Sequence, residues 1–140
     1  MKKIYSTVEP GKLLHMIVYY EDLRESEAQR IDICDPDQFL QCAGLNIPKG
    51  KKYRPHEHIW KDGPSKIIAQ ESWCVMRGRV KVFLYDLDGK CIATEELVAG
   101  DASFTFFGGH TYEVMEDAVV YEYKTGPYKD QSSDKKFIGE

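Results

Sequence analysis

The chain contains no apolar stretch long enough to cross a bilayer, no apolar run of the signal-peptide kind at its start, and no run of lysine or arginine. The first two absences give no reason to expect a membrane partner, and the opening residues (MKKIYST) read as the start of a cytoplasmic protein. The third, with a net charge of -4, gives no reason to expect nucleic acid. Four cysteines, Cys34, Cys42, Cys74 and Cys91, form no CxxC pair and no zinc-ribbon spacing, so reduced thiols are expected. Cys74 and Cys91 fall in strand-like stretches and read as small core residues. Internal repeats, low-complexity segments and Pro/Gly-rich linkers are also missing, and 140 residues are enough to bury one core, so a single domain over 1–140 is expected.

Short β-type runs separated by turn residues follow one another along the chain. Residues 13–20 (LLHMIVYY) read as a strand, and His15 within them as an interior or interface histidine. Residues 21–30 suit a loop or a short helix equally. Asp35-Pro36-Asp37 reads as the start of a one-turn helix, with Asp35 as cap and Pro36 in the first turn. Strands are expected at 39–47, 51–59, 67–76, 80–86, 91–97, 104–107, 110–115 and 118–124. Residues 61–65 (KDGPS) read as a loop, and Gly78 as the end of its strand. Asp88-Gly89 is a hairpin signal pairing 80–85 with 91–97. About eight short strands with almost no helix indicate an all-β antiparallel sandwich or barrel.

Histidine is scarce, with four in the chain, and three of the four stand in a telling arrangement. His56 and His58 are one residue apart, and positions i and i+2 of a strand face the same side of a sheet. Glu71 and His110 can meet them from other strands. Imidazole is the commonest protein ligand for transition metals, and nitrogen donors with one carboxylate suit Mn, Fe, Co, Ni or Zn better than Ca or Mg. Gln70 substitutes for Glu71 if the strand slips by one residue. Glu57 is expected to point away.

The order Gly50, five residues, His56, one residue, His58, then Glu71, six residues, Gly78, resembles the first motif of the cupin superfamily. Twelve residues separate His58 from Glu71, where the usual pattern has three or four. The stretch from Gly100 to His110 (GDASFTFFGGH) resembles the second motif, with Phe106 where proline is usual and the histidine one position early. The resemblance covers 39–127, leaving 1–38 as an N-terminal strand and loop region and 128–140 as a C-terminal tail. It implies a cupin-type β-jelly roll holding one divalent transition metal (Zn, Mn, Fe or Ni) on His56, His58, Glu71 and His110.

Alternation extends the site. Arg54 and Lys52 fall on the face of His56 and His58, where Arg54 would bind an anionic substrate group or make a structural ion pair with Glu113 or Glu122. Trp73 shares the face of Glu71, as pocket wall or as core packing. Tyr112 follows His110 on the same face, as proton donor or as a hydrogen-bonded structural tyrosine. Glu122 and Lys124 share one face of their strand. Turned inward, they belong to the site as proton carrier and substrate contact; turned outward, they are a solvated pair.

The chain is similar to small bacterial cupins of sugar and surface-polysaccharide metabolism through Gln70-Glu71-Ser72-Trp73, Phe83-Leu84-Tyr85-Asp86 and residues 121–128 (YEYKTGPY). That implies a small-molecule, carbohydrate-derived substrate, with isomerisation or epimerisation favoured. A non-catalytic module binding a sugar or carboxylate and an iron dioxygenase are the alternatives, since the fold alone selects none of them. Outward-facing aromatics (Phe83, Tyr85, Tyr121, Tyr123) imply a homodimer. The tail is expected either as a disordered end or as a lid over the pocket.

Overall fold

The computed structural model describes residues 1–61 and 67–139, the side chain of Met16 apart; the loop expected at 61–65 lies, beyond Lys61, outside the described residues. The elements in chain order are β1 (Lys2–Tyr5), β2 (Leu13–Ile17), α1 (Tyr20–Arg24), β3 (Arg30–Asp32), β4 (Leu40–Ile47), β5 (His56–His58), β6 (Trp60–Lys61), β7 (Ile67–Ile68), β8 (Glu71–Tyr85), β9 (Cys91–Val98), β10 (Ala102–Thr105), β11 (Gly109–Thr125) and β12 (Lys135–Phe137). All strand pairs are antiparallel, and the expectation of an all-β jelly roll with little helix holds.

Two long strands organise the sandwich. β8 and β11 pair along most of their length, and both bend midway, where the register shifts between Val114 and Val120. Beyond the bend each strand joins a different set of neighbours. On one side the order is β9, the second half of β8, the first half of β11, β5 and β12. On the other it is β10, the first half of β8, the second half of β11, β4 and β3.

Gly78 makes the bend possible. Its φ of +82° is open to glycine, and a Cβ there would lie 2.3 Å from the Asp117 carbonyl oxygen. Gly78 therefore does not end a strand, as its sequence context implied, but sits inside it where the ladder with β11 loses its regular register. The inward positions switch from Glu71, Trp73 and Val75 to Val80 and Val82 across this point.

Inward alternation from both faces fills the core with Ala43, Leu45, Ile47, Trp73, Val75, Val80, Val82, Tyr112, Val114, Ala118 and Val120. The Asp-Gly hairpin joins β8 to β9 as expected. α1 lies on the outer face of β4, where Leu23 covers Gly44 so closely that a Cβ would fall 2.2 Å from its Cδ2.

Several sequence expectations are corrected. The strand expected at 13–20 stops at Ile17, because Tyr20 opens α1. His15 is exposed, so the interior reading does not hold; among the described residues the β1–β2 hairpin pairs only with itself. Asp35-Pro36-Asp37 forms a turn instead of a helix, with Asp35 Oδ1 accepting the Asp37 N–H at 3.0 Å. Cys91 is exposed at the start of β9, and Cys74 is half-buried. The strand expected at 51–59 shrinks to His56–His58, with Lys52 in an isolated bridge to Glu113, because Pro55 has no N–H to give a ladder. Of the two readings of the tail, the disordered end does not hold: β12 pairs with β5, and Asp134 just before it is 1% exposed.

Candidate metal centre

The bend in β8 and β11 brings four donors from three strands together. β5 supplies His56 and His58, the first half of β11 supplies His110 opposite His56, and the start of β8 supplies Glu71 from across the sandwich. All four are buried, at 6, 6, 6 and 0% exposure for His56, His58, Glu71 and His110, and their ligand atoms lie within 4.8 Å of one another. The ring of His110 lies 4.6 Å from that of His56 and 5.6 Å from that of His58. Gln70 is exposed, so the register selects Glu71. Glu57 points away and pairs with Lys136 at 2.7 Å.

Each imidazole is held differently. His56 Nδ1 lies 3.0 Å from the Arg54 carbonyl; a carbonyl only accepts, so Nδ1 carries the hydrogen and Nε2 faces inward. His58 Nδ1 lies 3.2 Å from both the carbonyl and Oδ2 of Asp134, which again turns Nε2 to the centre. Among the described residues His110 Nδ1 has no hydrogen-bond partner, and its Nε2 lies 3.1 Å from Glu71 Oε1. Glu71 Oε2 lies 3.2 Å from His58 Nε2.

The electrostatics follow from these contacts. Burial alone would raise Glu71, but hydrogen bonds from His110 and His58 and the charges behind them hold it well below the usual carboxylate range. Burial alone would lower His58, yet hydrogen bonds to Asp134 and Glu71 push it up to about 9. Burial, with the neighbouring His110 and the Lys135 ammonium, pushes His56 down to about 3.

The donor chemistry fits a divalent transition ion. Donors bonded at ~2.1 Å to one ion sit roughly 3–4 Å apart, within reach of the separations found here. The protons of His58 and His110 that face Glu71 mark where a cation would lie. The buried group supports a divalent metal site, with the metal's identity open.

A cavity of about 320 Å³ opens beside His56 and Glu71. Its aromatic lining includes Tyr53, Trp73, Tyr112 and Tyr128, and its polar lining includes Arg30, Gln41, Glu122, Lys124 and Lys135. Glu122 and Lys124 thus turn inward. Glu122 Oε1 accepts from Arg30 at 2.9 Å and Oε2 from the Trp73 indole at 3.3 Å. Lys124 pairs with Asp134 at 3.2 Å. Trp73 lies flat against Tyr112, with centroids 3.8 Å apart and planes 4° apart. The Tyr112 hydroxyl bonds Ser103 at 2.9 Å, and burial pushes its ionisation far above the ordinary tyrosine value. Arg54 is the predicted site residue that the fold places elsewhere. Loss of regular strand before Pro55 leaves it exposed, with its guanidinium 4.2 Å from the Phe137 ring centroid. Tyr53 lines the cavity in its stead.

Sequence reasoning missed Asp134, Lys135, Arg30 and Tyr128. Arg30 carried no motif signal, and Tyr128 entered only as the last residue of the 121–128 stretch, with no role at the site. Asp134 and Lys135 sit in a segment whose charge reads as a solvated end, and only the pairing of β12 with β5 brings them to the site.

No family model matches the sequence, and no curated protein matches it. Solved structures do match in shape. A cupin-2 domain containing protein from Shewanella frigidimarina aligns over 79% of this chain and 95% of its own, at 15% identity and a TM-score of 0.56. KdgF from Halomonas sp. aligns over 91% and 90%, at 20% identity and a TM-score of 0.54. The fold is that of the cupin superfamily. A third cupin-fold neighbour is the oxalate decarboxylase of Bacillus subtilis, described with Mn(II) centres, at 16% identity and a TM-score of 0.54. It aligns over 74% of this chain, which spans a quarter of that longer one. Within this cupin fold, the long segment between His58 and Glu71 leaves the donor group intact, because its ends close as the small β6–β7 pair. Among the described residues no helix is long and apolar enough to cross a membrane.

Proposed function

We propose that this cupin is a metal-dependent enzyme acting on a small, polar, carbohydrate-derived substrate, with isomerisation or epimerisation as its reaction. The observation that carries the reading is the placement of a fixed carboxylate, Glu122, in the same small cavity as the buried donor group. Isomerisation needs a base that removes a proton from the carbon beside a carbonyl and returns a proton to the substrate. Glu122 is positioned for that task by Arg30 and Trp73. Lys124 and Lys135 supply positive charge toward substrate oxygens, and the rings of Tyr53, Trp73 and Tyr128 offer flat apolar surface to a sugar's C–H face. Tyr112, with its hydroxyl engaged by Ser103, serves as wall. When bound, a divalent ion supplies Lewis acidity at a carbonyl or hydroxyl oxygen. Mn(II), present in the oxalate decarboxylase neighbour, is one candidate.

One observation favours a second reading, a sugar- or carboxylate-binding module without turnover. Both oxygens of Glu122 already accept hydrogen bonds, which suits a group that grips as much as one that moves protons. The test is solvent-deuterium exchange into a panel of sugars and sugar acids by NMR, with protein loaded with Mn, Fe, Co, Ni or Zn. Exchange beside a carbonyl, falling at least ~100-fold in Glu122→Gln, is the expected result. Saturable binding without exchange supports the module, and oxygen uptake restricted to the iron form supports a dioxygenase.

The reading includes a cytoplasmic setting, consistent with four free cysteines. It also includes a homodimer covering the exposed Phe39, Leu40, Phe104 and Phe106. A monomeric mass in sedimentation at micromolar concentration excludes the dimer.

A further inference from the structure

We propose that Asp134 is a positioning residue of the metal centre, orienting His58 for coordination through Nε2, so that the C-terminal strand β12 is part of the centre's construction. The inference rests on the reading of His56, His58, Glu71 and His110 as a metal site. Asp134 is 1% exposed, and a buried carboxylate persists only when its charge is answered by partners. It has three. Lys61 Nζ lies 2.9 Å from Oδ1, Lys124 Nζ lies 3.2 Å from Oδ2, and His58 Nδ1 lies 3.2 Å from the same Oδ2. Its carbonyl also accepts from the Ile59 N–H at 3.0 Å and from His58 Nδ1 at 3.2 Å. One residue thus fixes the backbone beside His58, the tautomer of its ring and the cavity's Lys124.

The other two histidines have no such support. His56 leans on a neutral carbonyl two residues away, and His110 Nδ1 has no hydrogen-bond partner among the described residues. A ligand imidazole whose second nitrogen donates to a carboxylate is held in one tautomer and is a stronger electron donor to the metal. His58 is the ligand so equipped. β12 holds Asp134 in place through backbone pairing of residues 135–137 with β5 and through Ile138, whose N–H bonds the Pro55 carbonyl at 3.1 Å. Gly109 accepts the Ile138 side chain where a Cβ would lie 2.2 Å from Ile138 Cδ1.

The experiment compares Co²⁺ binding by the full chain and by Asp134→Asn, in competition with a chromophoric chelator, with the visible spectrum of the bound Co²⁺ as second readout. Asparagine keeps the shape and removes the charge. The expected result is a 10- to 100-fold weaker affinity, with an altered Co²⁺ spectrum and an unchanged far-ultraviolet dichroism of the metal-free protein. A loss smaller than tenfold overturns the role of Asp134 while leaving the metal site standing. Failure of the wild-type chain to bind Co²⁺ overturns both. Should Asp134→Asn not fold, long-range ¹H–¹⁵N spectra of the Zn²⁺-loaded wild-type chain decide: a proton on Nδ1 of His58 and metal on Nε2 support the proposal, and metal on Nδ1 overturns it.

Discussion

Replacing Trp73 with phenylalanine tests whether the floor of the cavity is held by packing and by one hydrogen bond to Glu122. Trp73 is 2% exposed, stacks on Tyr112, meets Tyr53 edge-on at 5.4 Å and donates to Glu122. Phenylalanine loses ~40 Å² of buried apolar surface, worth about 1 kcal/mol at ~25 cal/mol/Å². It also loses a hydrogen bond to a charged acceptor, worth roughly 1.5–3 kcal/mol. The lower end applies, because Glu122 keeps Arg30 and its side chain is 12% exposed. The total is about 2.5 kcal/mol. With ~2.1 cal/mol/K of unfolding entropy per residue, this 140-residue chain has about 0.3 kcal/mol/K. The midpoint should therefore fall by about 8 °C. The assay is thermal unfolding followed by near-ultraviolet dichroism in the presence of chelator, so that bound metal does not mask the change. A double-mutant cycle with Glu122→Ala isolates the hydrogen bond and should give a coupling of about 1–2 kcal/mol. A midpoint shift under 3 °C, or a coupling indistinguishable from zero, would refute the account.

Gly78→Ala should destabilise by more than about 2 kcal/mol in urea unfolding, because a left-handed backbone costs ~1–2 kcal/mol in an L-residue and the Asp117 carbonyl stands in the way of the Cβ. Glu71→Gln should weaken Co²⁺ binding by more than the 10- to 100-fold typical of an outer-shell partner; chelator competition measures it. In the metal-free protein, His58 rises from its ordinary 6.5 to about 9 on folding. Its contribution to stability is therefore complete below pH 6.5 and fades as pH climbs through 9. Wild-type stability should fall between pH 6.5 and 8.5 relative to His58→Gln, and parallel pH profiles of the two would contradict this.

The ligand set was legible because strand alternation is local. His56 and His58 need two residues of regular strand to share a face, and β5 supplies three. The β8–β9 hairpin was legible for the same reason, through Asp88-Gly89 and the alternation of Val80 and Val82. Arg54 was misplaced by extending that alternation across Pro55, where the ladder breaks. Gly78 looked like a terminator because a left-handed glycine marks a turn end and a bulge alike, and only the approach of Asp117 distinguishes them. Asp134 was invisible because its worth depends on a partner 76 positions away and its charged surroundings read as solvent-facing.

That separation has a consequence for how the protein is made. A ribosome adding ~5–20 residues per second releases His58 about 4–15 s before the Asp134 that braces it, 76 residues later. Through that interval the nascent chain carries two imidazoles on a three-residue strand whose flanking strands, β11 and β12, have yet to be completed. Bracing of His58 by Asp134 therefore waits until the residues of β12 have been synthesised.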